Sequence, residues 1–160
     1  MKNDDKEARR KYRFQLANDD FDLAKEIAQH LLDNHWYHNK YLREGSARMQ
    51  QTAFTTAFVV TYNRPFTRGN GWDKLPYKEL EASFAPEEKQ LHKDLKDLRD
   101  KVHAHTDHEG HDRRLWPGRF GQPMFTMVNA PPYHLTKDQL EVAIEMLDKF
   151  KLYFSPPPPA

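Results

Sequence analysis

"PEEKQLHKDLKDLRDKV", Pro86 to Val102, decides how this chain is read. Leu91, Leu95, Leu98 and Val102 recur at three- and four-residue spacing, the period of an α-helix with one buried stripe. Pro86 suits the first helical position, where a missing N–H costs nothing, and Glu87 and Glu88 suit the positive end of the helix dipole. The helix is expected to end between Asp107 and Gly110.

Three further helical patterns lie on either side. About Asp19 to His35 carries Phe21, Ala24, Ile27, Ala28 and Leu31 on one face. About Asn39 to Tyr62 carries Met49, Ala53, Phe54, Ala57 and Phe58, read as its buried face, and stops before Pro65, which pushes its predecessor out of the α region. A fourth helix opens at Thr136 with Gln139 three residues on, a capping-box pattern, and buries Leu140, Ala143, Ile144, Leu147 and Phe150. "RPFTRGNGWDKLP" (64–76) reads as a loop by its Gly, Asn and Pro content, and a second loop follows Gly110. "MFTMV" (124–128) reads as a short strand without an evident partner.

Four amphipathic helices with little strand signal give an all-α class and an up-and-down four-helix bundle. Residues 1–17 form a polar N-terminal arm, helical or frayed. Residues 18–154 form the helical domain. Residues 155–160, "SPPPPA", form a proline-rich tail that cannot be helix.

The 160 residues carry 25 Lys and Arg against 24 Asp and Glu, so net charge argues neither for nor against nucleic acid. The absence of cysteine excludes disulfides, thiolate zinc sites and a cysteine nucleophile. No apolar run is long enough to span a membrane, and "MKNDDKEARRKYR" lacks the core of a signal peptide. The expectation is a cytoplasmic protein.

The chemistry concentrates in "LRDKVHAHTDHEGHD", Leu98 to Asp112. On a helical wheel Arg99 sits about 80° from Leu91, on a polar face with His92, His103 and Thr106, while His105 falls near the edge of the leucine stripe. Three readings compete. His103, His105, Asp107, His108, His111 and Asp112 are all competent metal ligands, and His111–Asp112 is similar to the pair of HD phosphohydrolases, although it follows Gly110 in a loop. A second reading is a solvated helix end, where histidines suit the dipole. In the third, Arg99 holds a phosphate and His105 moves a proton at a ribose hydroxyl or leaving oxygen. Arg113, Arg114 and Arg119 form the best basic cluster nearby, and Trp36 and Tyr37 read as a packed helix junction.

"LRDKVHAHTD", with "YNRPF" far upstream, resembles the signature of HEPN-domain proteins: an arginine, a polar residue, then a histidine after four to six residues. Arg99, Asp100 and His105 occupy those places. The likeness is to bacterial HEPN-like proteins related to abortive-infection factors. It implies a helical bundle that forms a homodimer with motif helices facing, and a metal-independent endoribonuclease without cofactor. Arg99, Asp100 and His105 would be catalytic, and His103, Lys101, Arg64 and Asp107 would contribute to binding. It also implies RNA as substrate, a role in phage defence or as a toxin, and restraint by an antitoxin-like partner. Asp100 departs from the usual asparagine and sets a negative charge near the phosphate, and His103 is a second histidine one turn from Arg99. Some members keep the fold as non-catalytic binding modules.

Overall fold

The computed structural model describes residues 2–37, 45–68, 74–103, 112–116, 125–129 and 135–154. These residues are helical in class, with five α-helices and one two-stranded ribbon among them. α1 spans Lys2–Asp33 and α2 spans Gly45–Asn63, followed by a 3-10 turn over Arg64–Phe66. A short α3, Tyr77–Leu80, leads through a second 3-10 turn, Glu81–Ser83, into α4, Pro86–His103. β1, Asp112–Trp116, pairs antiparallel with β2, Phe125–Asn129, and α5 spans Lys137–Phe154. α1 packs along both α5 and α2, α2 packs on α4, and α4 meets α5. Among the described residues no helix is long and apolar enough to cross a membrane.

The local signals operate as chemistry requires. Phe21, Ala24, Ile27, Ala28 and Leu31 are all buried on α1. In α5, Leu140, Ala143, Leu147 and Phe150 are buried, joined by Met146 and Phe154, with Ile144 half-buried. The capping box is reciprocal: Thr136 N–H donates to Gln139 Oε1 at 3.0 Å, and Gln139 N–H donates to Thr136 Oγ1 at 3.2 Å. α4 begins at Pro86, and the Glu88 carboxylate reaches back to accept the Ala85 N–H at 2.8 Å. Leu91 and Leu95 are buried and Leu98 is half-buried. α2 ends at Asn63, and Pro65 is buried in the turn that follows.

Four expectations are corrected, while the expected start of the second helix near Asn39 falls outside the described residues. The polar arm takes the helical of its two expected forms, so the first helix starts at Lys2 rather than Asp19, and its polar half is anchored. Arg13 Nη2 donates to the Pro65 carbonyl at 2.7 Å, and the Phe14 ring lies 5.6 Å from Phe154. It ends at Asp33, before His35. The described part of the second helix begins at Gly45, while 39–44 lie outside the described residues. Its buried face is also different: Gln51, Thr55, Phe58, Val59 and Tyr62 point inward, whereas Met49 is 69% exposed and Ala53 is exposed. Two polar side chains of this helix face inward with their amide N–H groups on backbone carbonyls. Gln51 Nε2 donates to the Trp36 carbonyl at 2.9 Å, and Asn63 Nδ2 donates to the carbonyls of Val59 and Leu95 at 2.8 and 2.9 Å. Finally, the segment 112–116, read as loop, is a strand. Arg113 pairs with Val128 and Arg114 with Met127, so "MFTMV" has its partner, one residue later than expected.

α1 closes with His35 at a φ of 54°. Trp36 N–H donates to the Leu31 carbonyl at 2.7 Å and His35 N–H to Leu32 at 2.9 Å, the paired bonds of a Schellman motif. The Trp36 ring then packs on His30 and Phe54, a helix junction as expected. The left-handed residue of such a motif favours glycine because a Cβ is crowded there. His35→Gly should therefore raise stability by about 0.5–1 kcal/mol, read as a higher thermal midpoint. A lower midpoint would show that the His35 Nδ1 contact with Tyr37 Oη at 2.9 Å outweighs backbone strain.

Candidate functional site

The residue that opens the motif, Arg99, sits one turn beyond the buried Leu95 on α4. That position carries it over the C-terminal end of α2. The link is a relay of short polar contacts. Asn63 Nδ2 donates to the Leu95 carbonyl, Thr67 Oγ1 donates to the Asn63 carbonyl at 2.8 Å, and Arg99 Nη1 donates to Thr67 Oγ1. Carbonyl ends of a helix carry partial negative charge, so a guanidinium beside them is favourably placed. The Arg99 side chain is only 22% exposed.

Asp100 completes the setting. Its Oδ1 accepts Arg99 Nε–H at 2.9 Å and also an Nη2–H. The Asp100 carboxylate thus holds the Arg99 guanidinium. Its charge is answered by the adjacent guanidinium. Three of the five guanidinium N–H groups are engaged among the described residues, and charge-assisted bonds of this kind hold the plane in one orientation.

Arg64, which the resemblance would place among the binding residues, is paired across the fold. Its Nη1 lies 2.6 Å from Asp20 Oδ1, and Asp20 is buried on α1. Burial pushes the Asp20 carboxyl above its ordinary range, with Arg64 and Arg13 pulling against that shift. Burial also lowers the Arg13 guanidinium, with Asp20 opposing. Arg64 thus ties the turn after α2 to α1. Lys101 and His103 lie in the last turn of α4, with side chains outside the described residues, and His105 and Asp107 lie outside them altogether. So do His108 and His111. The described residues contain no group of three or more His, Asp or Glu side chains that could hold a metal ion.

His92, read as part of the polar face, is buried instead. Its ring stacks on Tyr77 at 3.6 Å, meets Phe66 edge-on at 5.0 Å, and its Nδ1 lies 3.0 Å from Tyr62 Oη. At His92 the face read as polar is therefore turned inward, because α2, the Arg64–Phe66 turn and α3 supply rings and a hydroxyl for it. Burial, helped by Lys96, lowers the imidazole to about 4, so it is neutral at pH 7. Burial raises Tyr77 to about 12 and also lifts Tyr62 well above the ordinary tyrosine value. Beside this cluster the buried Glu88 pairs with Lys149 of α5 at 2.6 Å. The sequence signal for His92 was its place next to Leu91 and three residues before Leu95. Nothing local marked Thr67 or Asn63.

Comparisons with protein-family models, with curated proteins and with solved structures give no match to this chain.

Proposed function

We propose that this chain is a HEPN-like four-helix bundle that cuts RNA without a metal ion, at a cleft shared by two copies. The observation that carries the reading is Arg99, a half-buried guanidinium held on α4 by Thr67 and Asp100, six positions before His105 in the sequence. A guanidinium fixed in this way offers preorganised charge to a phosphate whose negative charge grows as it is attacked. His105 would take the proton of a ribose 2′-hydroxyl or give one to the leaving oxygen. The products are a 2′,3′-cyclic phosphate and a 5′-hydroxyl end. His103, Lys101 and Asp107 would line the cleft, and an antitoxin-like protein would restrain the activity.

One observation favours a second reading, a non-catalytic RNA- or protein-binding module of the same fold. The charge of Arg99 is already answered by Asp100. The two readings part on a single experiment. Single-stranded RNA is incubated with the full chain, with and without chelator, beside Arg99→Ala and His105→Ala. Cleavage that survives chelator and falls at least about tenfold in each variant supports the ribonuclease. RNA retained but never cut supports the binding module. Cutting that continues unchanged in His105→Ala removes the ribonuclease reading, and cutting abolished by chelator replaces it with a metal-dependent phosphohydrolase.

A further inference from the structure

α1 carries opposite charge in its two parts. Residues 2–13 hold six Lys or Arg against three Asp or Glu, whereas residues 14–33 hold one against five. The basic part stands beyond the bundle: every residue from Glu7 to Tyr12 is exposed, and burial begins at Arg13 and Phe14. Its cations are sorted by face. Lys11 pairs with Glu7 at 3.0 Å. Arg9 and Arg10 stand four and three residues before Arg13, so these three share another face. That face continues the buried stripe of Ala17, Phe21 and Ala24, so apolar side chains give way to arginine where the bundle ends. The Arg10 guanidinium lies over the Phe14 ring, 5.2 Å from its centroid. A guanidinium held by its flat side keeps its N–H edge for an anion.

We infer that Arg9 and Arg10 hold the phosphate backbone of single-stranded RNA as it leaves Arg99. The turn after α2 joins the two places. Arg13 of α1 donates to the Pro65 carbonyl, Arg99 of α4 donates to Thr67, and the exposed Arg68 follows directly. Charge decides the occupant. Residues 8–13, with four cations and no acid, are the densest positive run in the chain, and a strand of phosphates is drawn to such a run by counterion release. Arg9 and Arg13 lie about 6 Å apart along the axis, a row one helix face wide, which suits a single strand. A membrane-surface helix needs a broad apolar face below its cations, and Glu7 to Tyr12 has none. The inference rests on RNA as the ligand in the proposed function and not on cleavage.

Fluorescence anisotropy of the full chain with a labelled 2′-O-methyl oligouridylate of about 16 nucleotides tests it. This strand lacks the 2′-hydroxyl that cutting needs, so it reads binding alone. Arg9→Gln combined with Arg10→Gln should weaken binding at least about tenfold near 50 mM salt and flatten the slope of log Kd against log salt by about 1.4, the value of two phosphate contacts on a single strand. Both positions are exposed, so helical circular dichroism should not change. Arg9→Lys combined with Arg10→Lys should keep the slope, because charge is what it counts. Lys78→Gln combined with Lys93→Gln removes the same charge from exposed positions on α3 and α4 and should leave affinity and slope as they are. A wild type that does not bind the strand overturns the inference. So does a glutamine variant that matches wild type, a lysine control that falls as far, or polyglutamate bound through Arg9 and Arg10 as tightly as the RNA. Binding that depends on Arg9 and Arg10, with unmodified RNA left uncut, keeps the inference and ends the ribonuclease. Unmodified RNA cut by a glutamine variant whose binding is unchanged does the reverse.

Discussion

Phe150→Ala is expected to lower the stability of the folded chain by about 4 kcal/mol. The ring is fully buried on α5, among rings from α1, α2, the Arg64–Phe66 turn and the segment before α4. Its centroid lies 5.3 Å from Phe21 of α1, 5.0 Å from Phe66 of the turn, 5.2 Å from Phe84 before α4, and 6.2 Å from Tyr62 of α2. Truncation removes the ring's burial and leaves a cavity that rings from four separate segments cannot close together, which places the loss within the 3–5 kcal/mol typical of Phe→Ala. Leu152→Ala, two residues on in the same helix, should change stability by no more than about 0.5 kcal/mol. Urea midpoints of the two variants against wild type measure the contrast. A Phe150→Ala loss under about 2 kcal/mol would show that the aromatic cluster is not the point on which the helices converge. Because Phe66 rests on this ring, the variant should also loosen the turn that carries Arg64 and Thr67, and with them the hold on Arg99.

The second large effect is acid sensitivity centred on His92. A buried imidazole held near 4, against 6.5 for the exposed group, binds a proton less readily in the folded state than in the unfolded chain. The unfolded chain therefore takes up more protons between those values, and stability rises with pH across that window. The contribution is whole above pH 6.5 and is lost as pH falls toward about 4, up to roughly 3 kcal/mol. The groups that face the ring do not relieve this: Tyr62 and Tyr77 stay neutral, and Lys96 repels the added charge. His92→Gln cannot titrate but keeps an acceptor for the Tyr62 hydroxyl. It should cost about 1–2 kcal/mol at pH 7 through lost stacking and one imperfect hydrogen bond. Its deficit against wild type should shrink or reverse by pH 4. Urea unfolding of both proteins from pH 7 to 4 reads this directly, and parallel pH profiles would remove His92 as the acid-sensitive group. Asp20, held above the usual carboxylate range, acts in the opposite sense, and the comparison of the two proteins cancels it.

The candidate site was legible only in part. Arg99 and Asp100 could be singled out because their spacing to His105 is a pattern within one segment. That Asp100 grips Arg99 follows from adjacency. That Thr67 receives the other side of the guanidinium does not, because the two residues are 32 positions apart and meet only when α2 and α4 pack. Arg64 was visible as a charge next to a helix-stopping proline, but its partner, Asp20, lies 44 positions away on α1.

What this sequence determined alone is the set of features written between near neighbours. The stripes of α1, α4 and α5, the Thr136–Gln139 box, the start at Pro86 and the stop before Pro65 each depend on residues three or four apart, whose contacts exist as soon as a helix forms. Tertiary structure alone decided which way α2 faces, that His92 turns inward, and that 112–116 finds a strand to pair with. The reason is common to all three. From Met49 to Asn63 α2 has no charge to label its outer side. A buried Gln, Asn or His is tolerable only where a distant segment supplies a carbonyl, hydroxyl or ring. A strand is stable only against a second strand. Those partners lie outside any local window, so the choice between faces belongs to the packed protein.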